Sequence, residues 1–181
     1  MISSVNTILA LATIAGQAAV ICIAITAYLP RWRHAVAGVI RRYFPALAFV
    51  LTLAAISGSL FYSEIAGYTP CKLCWFQRIF MYPQAIILAL AIWRHDRAVA
   101  WYTLWLSVPG GLLAGYHYLL QIGVAPAIPC SAVGVSVVCS QRFVMQFGYV
   151  TIPMMALTAF ALIALLSFLT IRNYAPDRPH I

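Results

Sequence analysis

Five cysteines are the chain's most reactive side chains, and their spacing sorts them. Cys71 and Cys74 are separated by two residues, Cys130 and Cys139 by eight, and Cys22 stands apart in a long apolar run. With no near partner and a disfavoured thiolate, Cys22 reads as structural. Three kinds of chemistry suit the other four. As static staples, Cys130 and Cys139 are reasonable, but a ring as short as Cys71–Cys74 removes little unfolded-chain entropy. As zinc ligands, two cysteine pairs form a common donor set. The wide second spacing and competing oxidation argue against that, and no metal is expected. As redox groups, the pairs exchange by thiolate attack on a disulfide, for which CxxC is a recurrent device.

The neighbours of Cys74 favour redox chemistry. Cys74 sits just before an apolar run starting at Trp75, so its sulfur is expected near a helix N-terminus. Unpaired amides and the helix dipole stabilise a thiolate there. Arg78 follows four residues later, one turn down the same face. Alone, such a guanidinium serves as an interfacial anchor. In register with Cys74 it can stabilise both the thiolate and an anion forming beside it, at a depth a lipid-soluble electron acceptor reaches. His117 is the only histidine inside an apolar run. It precedes Gln121 by four residues, about 6 Å along a helix axis. A neutral imidazole there can relay a proton to the acceptor or hydrogen-bond a neighbouring helix. With no second such histidine, haem held by two histidines of one chain is excluded.

Composition dictates the elements that hold these residues. Of 181 residues, 64% are hydrophobic and 8% charged, with a mean hydropathy of +0.94. A soluble domain carries about a quarter charged residues, so lipid is the expected solvent here. Five runs are long enough to cross the hydrocarbon core, which takes about 20 helical residues. They are Val5 to Leu29, Pro45 to Gly67, Trp75 to Trp93, Ala98 to Gln121 and Gly148 to Ile171. The third is the weakest, because Gln77, Arg78 and Gln84 interrupt it. Pro83, Pro109 and Pro153 each remove a backbone donor and are expected to kink the last three spans unless a neighbour compensates. Kinks can make room for a flat ligand between helices, though at any single position ordinary transmembrane proline is the favoured reading. The first run lacks a basic leader and exceeds a typical signal-peptide core, so it is read as a retained span.

Orientation follows from the basic residues. One side receives Arg31, Arg33, Arg41, Arg42, Arg94, Arg97, Arg172 and Arg178, and the other only Lys72, Arg78 and Arg142. The richer side is expected to be cytoplasmic, with the N-terminus outside and the C-terminus inside. Tyr68 to Trp75 and Ile122 to Phe147 then lie outside, and they carry all four paired cysteines. In a bacterial cell that compartment is oxidising. The net charge of +8 does not point to nucleic acid, because the basic residues form short clusters rather than a stripe with interleaved aromatics. The segment Ser140 to Phe147 mixes polar and apolar residues and is expected on the membrane surface.

Thr69-Pro70-Cys71-Lys72-Leu73-Cys74-Trp75-Phe76-Gln77-Arg78 resembles the P-C-x-x-C-x-x-Q/E-R signature of the bacterial disulfide bond formation protein B family, DsbB. Tyr116-His117-Tyr118-Leu119-Leu120-Gln121 is similar to the Y-H-Y-x-x-Q stretch of that family's short BdbC-like branch. Phe147 to Leu157 is similar to the branch's F-G-F-I-T-I-P-x-x-A-L. The resemblance spans residues 45 to 171, and its three linked motifs are far more specific than CxxC alone.

The resemblance implies an all-α membrane protein, a four-helix bundle with two outward loops, preceded here by an extra N-terminal transmembrane helix. The expected organisation is 1–44 for that helix and a basic cytoplasmic loop, 45–171 for the core, and 172–181 for a cytoplasmic tail. It implies a membrane thiol-disulfide oxidoreductase that reoxidises a DsbA-like thioredoxin-fold partner and passes the electrons to ubiquinone or menaquinone. Cys130 would take the mixed disulfide with the partner, Cys71 would exchange with the loop pair, Cys74 would adjoin the quinone, and Arg78 would contact it. His117 is placed with Arg78 at the quinone. Cys130 and Cys139 are closer together than in the enterobacterial form, which leaves open which of them meets the partner. The extra first span has no counterpart in the pattern.

Three rivals differ in kind. A conduit sending reducing electrons outward needs cysteines within or behind the membrane, where only Cys22 lies. A scaffold or transporter with stapled or zinc-bound loops would be indifferent to thiol alkylation. A vitamin K epoxide reductase-like enzyme shares the chemistry, but there the loop cysteines precede the CxxC.

Overall fold

In lipid a long apolar segment satisfies its backbone polar groups by forming an uninterrupted helix. The computed structural model describes residues 2–29, 33–96, 98–125 and 137–172, and these residues are arranged accordingly. The long helices are α1 (Ile2–Tyr28), α2 (Arg33–Leu60), α3 (Lys72–Arg94), α4 (Val99–Gln121) and α5 (Ile152–Arg172). Cys130 and the residues after Arg172 lie outside the described residues. The only strand-like feature among those described is an isolated bridge between Gln146 and Val150.

Stretches of α1, α2, α3 and α5 are long and apolar enough to cross a membrane, the α2 stretch being Arg42–Ile65. The weakest of the five expected spans is therefore the fourth rather than the third. α4 is as long as α3, at 23 residues each, but Trp101, Tyr102, Trp105, Pro109, Gly110, Gly111 and His117 dilute its apolarity. It is nonetheless packed against both α3 and α5.

α2, α3, α4 and α5 form a closed ring, each touching the next and α5 returning to α2, while α1 lies outside the ring against α5 and α2. Small residues set the closest contact. A methyl group at Gly110 of α4 would collide with the Phe160 ring of α5, so glycine is what lets these two helices meet. Some buried polar groups find partners across the ring, where hydrocarbon offers none. Thr103 and Ser167 hydroxyls lie 2.9 Å apart, and Ser107 donates to Gln84 Oε1 at 3.1 Å. The prolines behave differently from one another. α3 and α4 continue through Pro83 and Pro109, whereas Pro153 is the second residue of α5, where its missing N–H removes no helical bond. Pro45, expected to open the second span, lies inside α2, whose helix begins at Arg33.

The connections at one end of the ring position the cysteines. α2 closes in a π-helical turn, Phe61–Ile65, after which Gly67 adopts a φ of +70°. The extended Cys71 then caps α3. After α4, a 3₁₀ turn at Val137–Ser140 carries Cys139 back over the bundle. In the stretch that follows, Met145 and Phe147 remain exposed. Phe143 stacks on Tyr68 with centroids 4.9 Å apart, and Val144 is buried. This aromatic contact joins the two connections and turns Phe143 inward.

Candidate functional site

α3 begins one turn earlier than its apolar run, because Cys71 rather than Cys74 is the N-cap. Both cysteines of the CxxC therefore lie in one helical turn, Cys74 as its third helical residue. Their sulfurs are 3.3 Å apart as free thiols. They face different surroundings.

Cys71 is buried against α4 and the 3₁₀ turn. Its sulfur lies 3.7 Å from His117 Nε2. The same Nε2 lies 3.1 Å from the Cys139 carbonyl oxygen, and His117 Nδ1 lies 3.1 Å from the Gln77 amide nitrogen. A carbonyl only accepts, so Nε2 carries the hydrogen and Nδ1 accepts from Gln77, a tautomer fixed by its partners. Cys139 is 1% exposed. Its sulfur is hydrogen-bonded with Cys71 and meets the backbone amides of Leu73 and Lys72, two of the unpaired donors at the start of α3. The structure thus brings Cys71, Cys74, His117 and Cys139 together, and Cys22 is exposed on α1, away from them.

These contacts govern ionisation at the membrane edge. The Cys71 thiol is pushed up to about 12, first by its hydrogen bond to the Cys74 sulfur and then by burial, with His117 opposing. The Cys139 thiol is pushed up to about 11, first by burial and then by its hydrogen bond with Cys71, with the Leu73 and Lys72 amides opposing.

Cys74 faces the other way, into a cavity of about 200 Å³ walled by α1, α2, α3 and α5. Arg78 lines it too and is held from α2. Its Nε donates to Ser59 Oγ at 2.9 Å, and its Nη2 donates to the Ser59 carbonyl at 2.9 Å and to Ser63 Oγ at 2.8 Å. The guanidinium also lies 5.2 Å from the Trp75 ring centroid. These bonds leave Nη1 without a hydrogen-bond partner among the described residues. One turn further along α3, Tyr82 lines the same cavity, and its buried hydroxyl has no partner among the described residues. Gln77 lines the cavity as well, so it reaches from there to His117. His117 and Cys71 are not among the lining residues; the histidine stands on the side of the CxxC that faces Cys139.

Two kinds of ligand fit these donors. The ligating atoms of Cys71, Cys74 and His117 lie within 4.8 Å of one another, close enough to share a metal ion. That would require Nε2 to give up its hydrogen and its bond to Cys139. The cavity, by contrast, offers a guanidinium and an unpaired phenol among apolar walls, which suits a flat, oxygen-bearing, lipid-soluble molecule.

The family profile described as disulfide bond formation protein DsbB matches residues 41–170. The chain belongs to the DsbB family. Relatives include the probable disulfide formation protein C of Halalkalibacterium halodurans, 42% identical over 131 residues, covering 70% of this chain and 91% of that protein. The disulfide bond formation protein C of Bacillus subtilis is 41% identical over 125 residues, 68% of this chain and 88% of its own. A probable disulfide formation protein of Metapseudomonas resinovorans is 42% identical over 132 residues, 72% of this chain and 90% of its own. No solved structure matches the chain. As a DsbB-family protein it is a multi-pass membrane protein of disulfide bond formation, a protein-disulfide oxidoreductase.

Several parts of this DsbB-family site are not announced by the cysteine motifs. Ser59 in α2 and Ser63 in the π-helical turn precede Arg78 by many residues and meet it only in the folded chain. The Cys139 carbonyl is a backbone group, invisible to residue type. Gln77 carried one signal, its place beside Arg78 in the matched signature. Tyr82 also carried one, its four-residue spacing from Arg78.

Proposed function

We propose that this chain takes electrons from a DsbA-like thioredoxin-fold partner and delivers them to a membrane quinone through Cys74. One observation carries the reading: the CxxC straddles a boundary, with Cys71 against Cys139 and His117, and Cys74 on an apolar cavity beside Arg78. A partner dithiol attacks the Cys130–Cys139 disulfide, forming the partner's disulfide and leaving a Cys130, Cys139 dithiol. That dithiol reduces the Cys71–Cys74 disulfide, and Cys139, already hydrogen-bonded with Cys71, makes the attack. Cys130 then meets the partner. His117 Nε2–H is placed to donate to a Cys71 thiolate as it forms, and Gln77 holds that tautomer.

A quinone bound in the cavity takes up the two electrons and two protons released when Cys71 and Cys74 return to the disulfide. Arg78, fastened by Ser59 and Ser63, presents Nη1 to one of its oxygens, and the Tyr82 hydroxyl supplies a second donor. The excess of arginine on the opposite connections supports an orientation with the cysteines outside the cytoplasm, where disulfides persist. The three-ligand cluster favours a second reading, a zinc-held loop junction.

Purified protein supplied with a reduced DsbA-like protein and a soluble quinone analogue tests the reading. Quinone reduction followed by absorbance is expected, and its loss in Cys74→Ser. No turnover with benzoquinone- or naphthoquinone-type acceptors, together with stoichiometric zinc binding by the reduced protein, would replace this reading with the second.

A further inference from the structure

The matched residues 41–170 encompass the apolar parts of α2 to α5 and leave α1 outside. Yet α1 contributes Leu9, Ala12, Thr13 and Gly16 to the cavity that holds Cys74 and Arg78. Its seat is specific. A methyl group at Gly16 would lie 3.0 Å from Thr158 Cγ2 and 3.2 Å from Leu162 Cδ1, so glycine permits close docking on α5. Gln17 donates to Thr158 Oγ1 at 3.4 Å and accepts the Tyr149 hydroxyl at 2.9 Å, which ties α1 to α5 and to the turn before it. Interior glycine weakens a helix unless close approach requires it, and polar side chains bond across helices in lipid. Both features mark α1 as a docked element of the bundle.

The chemistry of this wall is one-sided. Thr13 spends its hydroxyl on the Leu9 carbonyl at 2.8 Å, so α1 turns only hydrocarbon towards the cavity. The donors available to an acceptor's oxygens, Arg78 and Tyr82, both belong to α3. We propose that α1 is the tail-binding wall of the acceptor site: the quinone ring lies against α3, and the hydrocarbon tail runs along Leu9, Ala12, Thr13 and Gly16. This rests on the quinone reading above and adds a selective element that the matched region does not contain. A tailless quinone would use α3 alone; a tailed one would use both walls.

The test compares a tailless benzoquinone with its decyl-tailed analogue, using the full-length protein, a reduced DsbA-like protein, and Thr13→Trp beside the wild type. The indole projects into the tail path. The ratio of the tailed to the tailless KM is expected to rise about tenfold, as for losing burial of roughly two methylenes. Taking this ratio within each protein removes differences in active fraction. An unchanged ratio overturns the role of α1. A decyl quinone with a photoreactive group at the tail end provides the second measurement, made on wild type and independent of the variant's folding. Competable label on the peptide bearing residues 9–16 is expected, and label confined to α2, α3 and α5 overturns the proposal. Failure of the quinone reading looks different: wild type would turn over neither quinone, and no competable label would appear anywhere.

Discussion

Replacing Cys74 with alanine should make Cys71 more reactive, although it destroys the redox pair. In the reduced protein the Cys71 thiol is held at about 12 against an ordinary 9.0. Well below both values, that difference lowers the thiolate fraction about a thousandfold. Intrinsic nucleophilicity rises with basicity and returns about 15- to 30-fold, leaving alkylation roughly 30- to 60-fold slower than at an ordinary cysteine. The largest cause is the hydrogen bond to the Cys74 sulfur; burial is second, and His117 opposes both. Cys74→Ala deletes the first cause and leaves the other two in opposition, so most of the deficit should be recovered, about tenfold or more in rate. The assay is iodoacetamide incorporation at Cys71, quantified by peptide mass spectrometry between about pH 7 and pH 10, the range over which ordinary thiols ionise. Cys130→Ser and Cys139→Ser together, in both proteins, prevent pairing with the loop. The Cys74-containing protein should climb about tenfold per pH unit throughout, and the alanine variant should flatten near the top of the range. The shape of the profile, unlike the absolute rate, does not depend on how easily the reagent enters. A variant whose profile remains as steep and no faster would refute the reasoning and assign the suppression of Cys71 to burial.

Other expectations follow from the cavity and from the helix contacts. Arg78→Lys keeps the charge but loses the fork that engages Ser59 and Ser63 together, so the quinone KM should rise about tenfold, and an unchanged KM would remove Arg78 from the acceptor site. Tyr82→Phe removes a buried hydroxyl without a partner; the quinone KM should rise about fivefold, the worth of one hydrogen bond, while the melting temperature in detergent stays level or increases. A lowered melting temperature with unaltered KM would mean that the hydroxyl serves the fold. Gly110→Ala sets a methyl group against the Phe160 ring and should cost about 1–3 kcal/mol, read as a lower melting temperature; no change would show that α4 and α5 can separate freely.

How far the site was legible varied with the distance over which its parts meet. The four-residue step from Cys74 to Arg78 is a property of a single helix, and the structure keeps the two residues on one cavity. His117 shows the limit. Its place in an apolar run was plain, but its rotation about the α4 axis decides which side of the CxxC it faces, here that of Cys71 and Cys139. That rotation is set by packing between α4, α3 and the 3₁₀ turn. The spans were legible from apolarity except where aromatic, glycine and histidine residues diluted it, as in α4. Ser140 to Phe147 read as interfacial because its composition is mixed; the stacking of Phe143 on Tyr68 could not be read locally, since these residues lie on different connections.

The placement of both cysteines in one helical turn bears on which parts of the site must move. On the proposed relay, electrons cross from the Cys71 side to the cavity side through a Cys71–Cys74 disulfide, so α3 itself need not move. Nor is Cys139 placed to travel: its carbonyl is held by His117, and its sulfur lies at the start of α3. The residues just after it are fastened as well. Arg142 donates Nε to the Gln121 carbonyl at 2.7 Å, and Gln121 returns a bond to the Gln141 carbonyl at 3.1 Å. Breaking these contacts for every turnover would expose the buried Cys139 and strip His117 of the acceptor that fixes its tautomer. On the proposed relay, then, the fixed member of the loop pair is Cys139, and the encounter with a partner falls to Cys130. Two single variants separate the roles. Cys139→Ser, given a DsbA-like partner that keeps only its attacking cysteine as a mixed disulfide with thionitrobenzoate, should form a stable Cys130–partner disulfide with release of thionitrobenzoate, because neither protein then holds a thiol placed to resolve it. Cys130→Ser should instead leave Cys139 free to form a disulfide with Cys71, visible as a linked peptide pair. The reverse pattern would mean that Cys139 leaves its seat in each cycle.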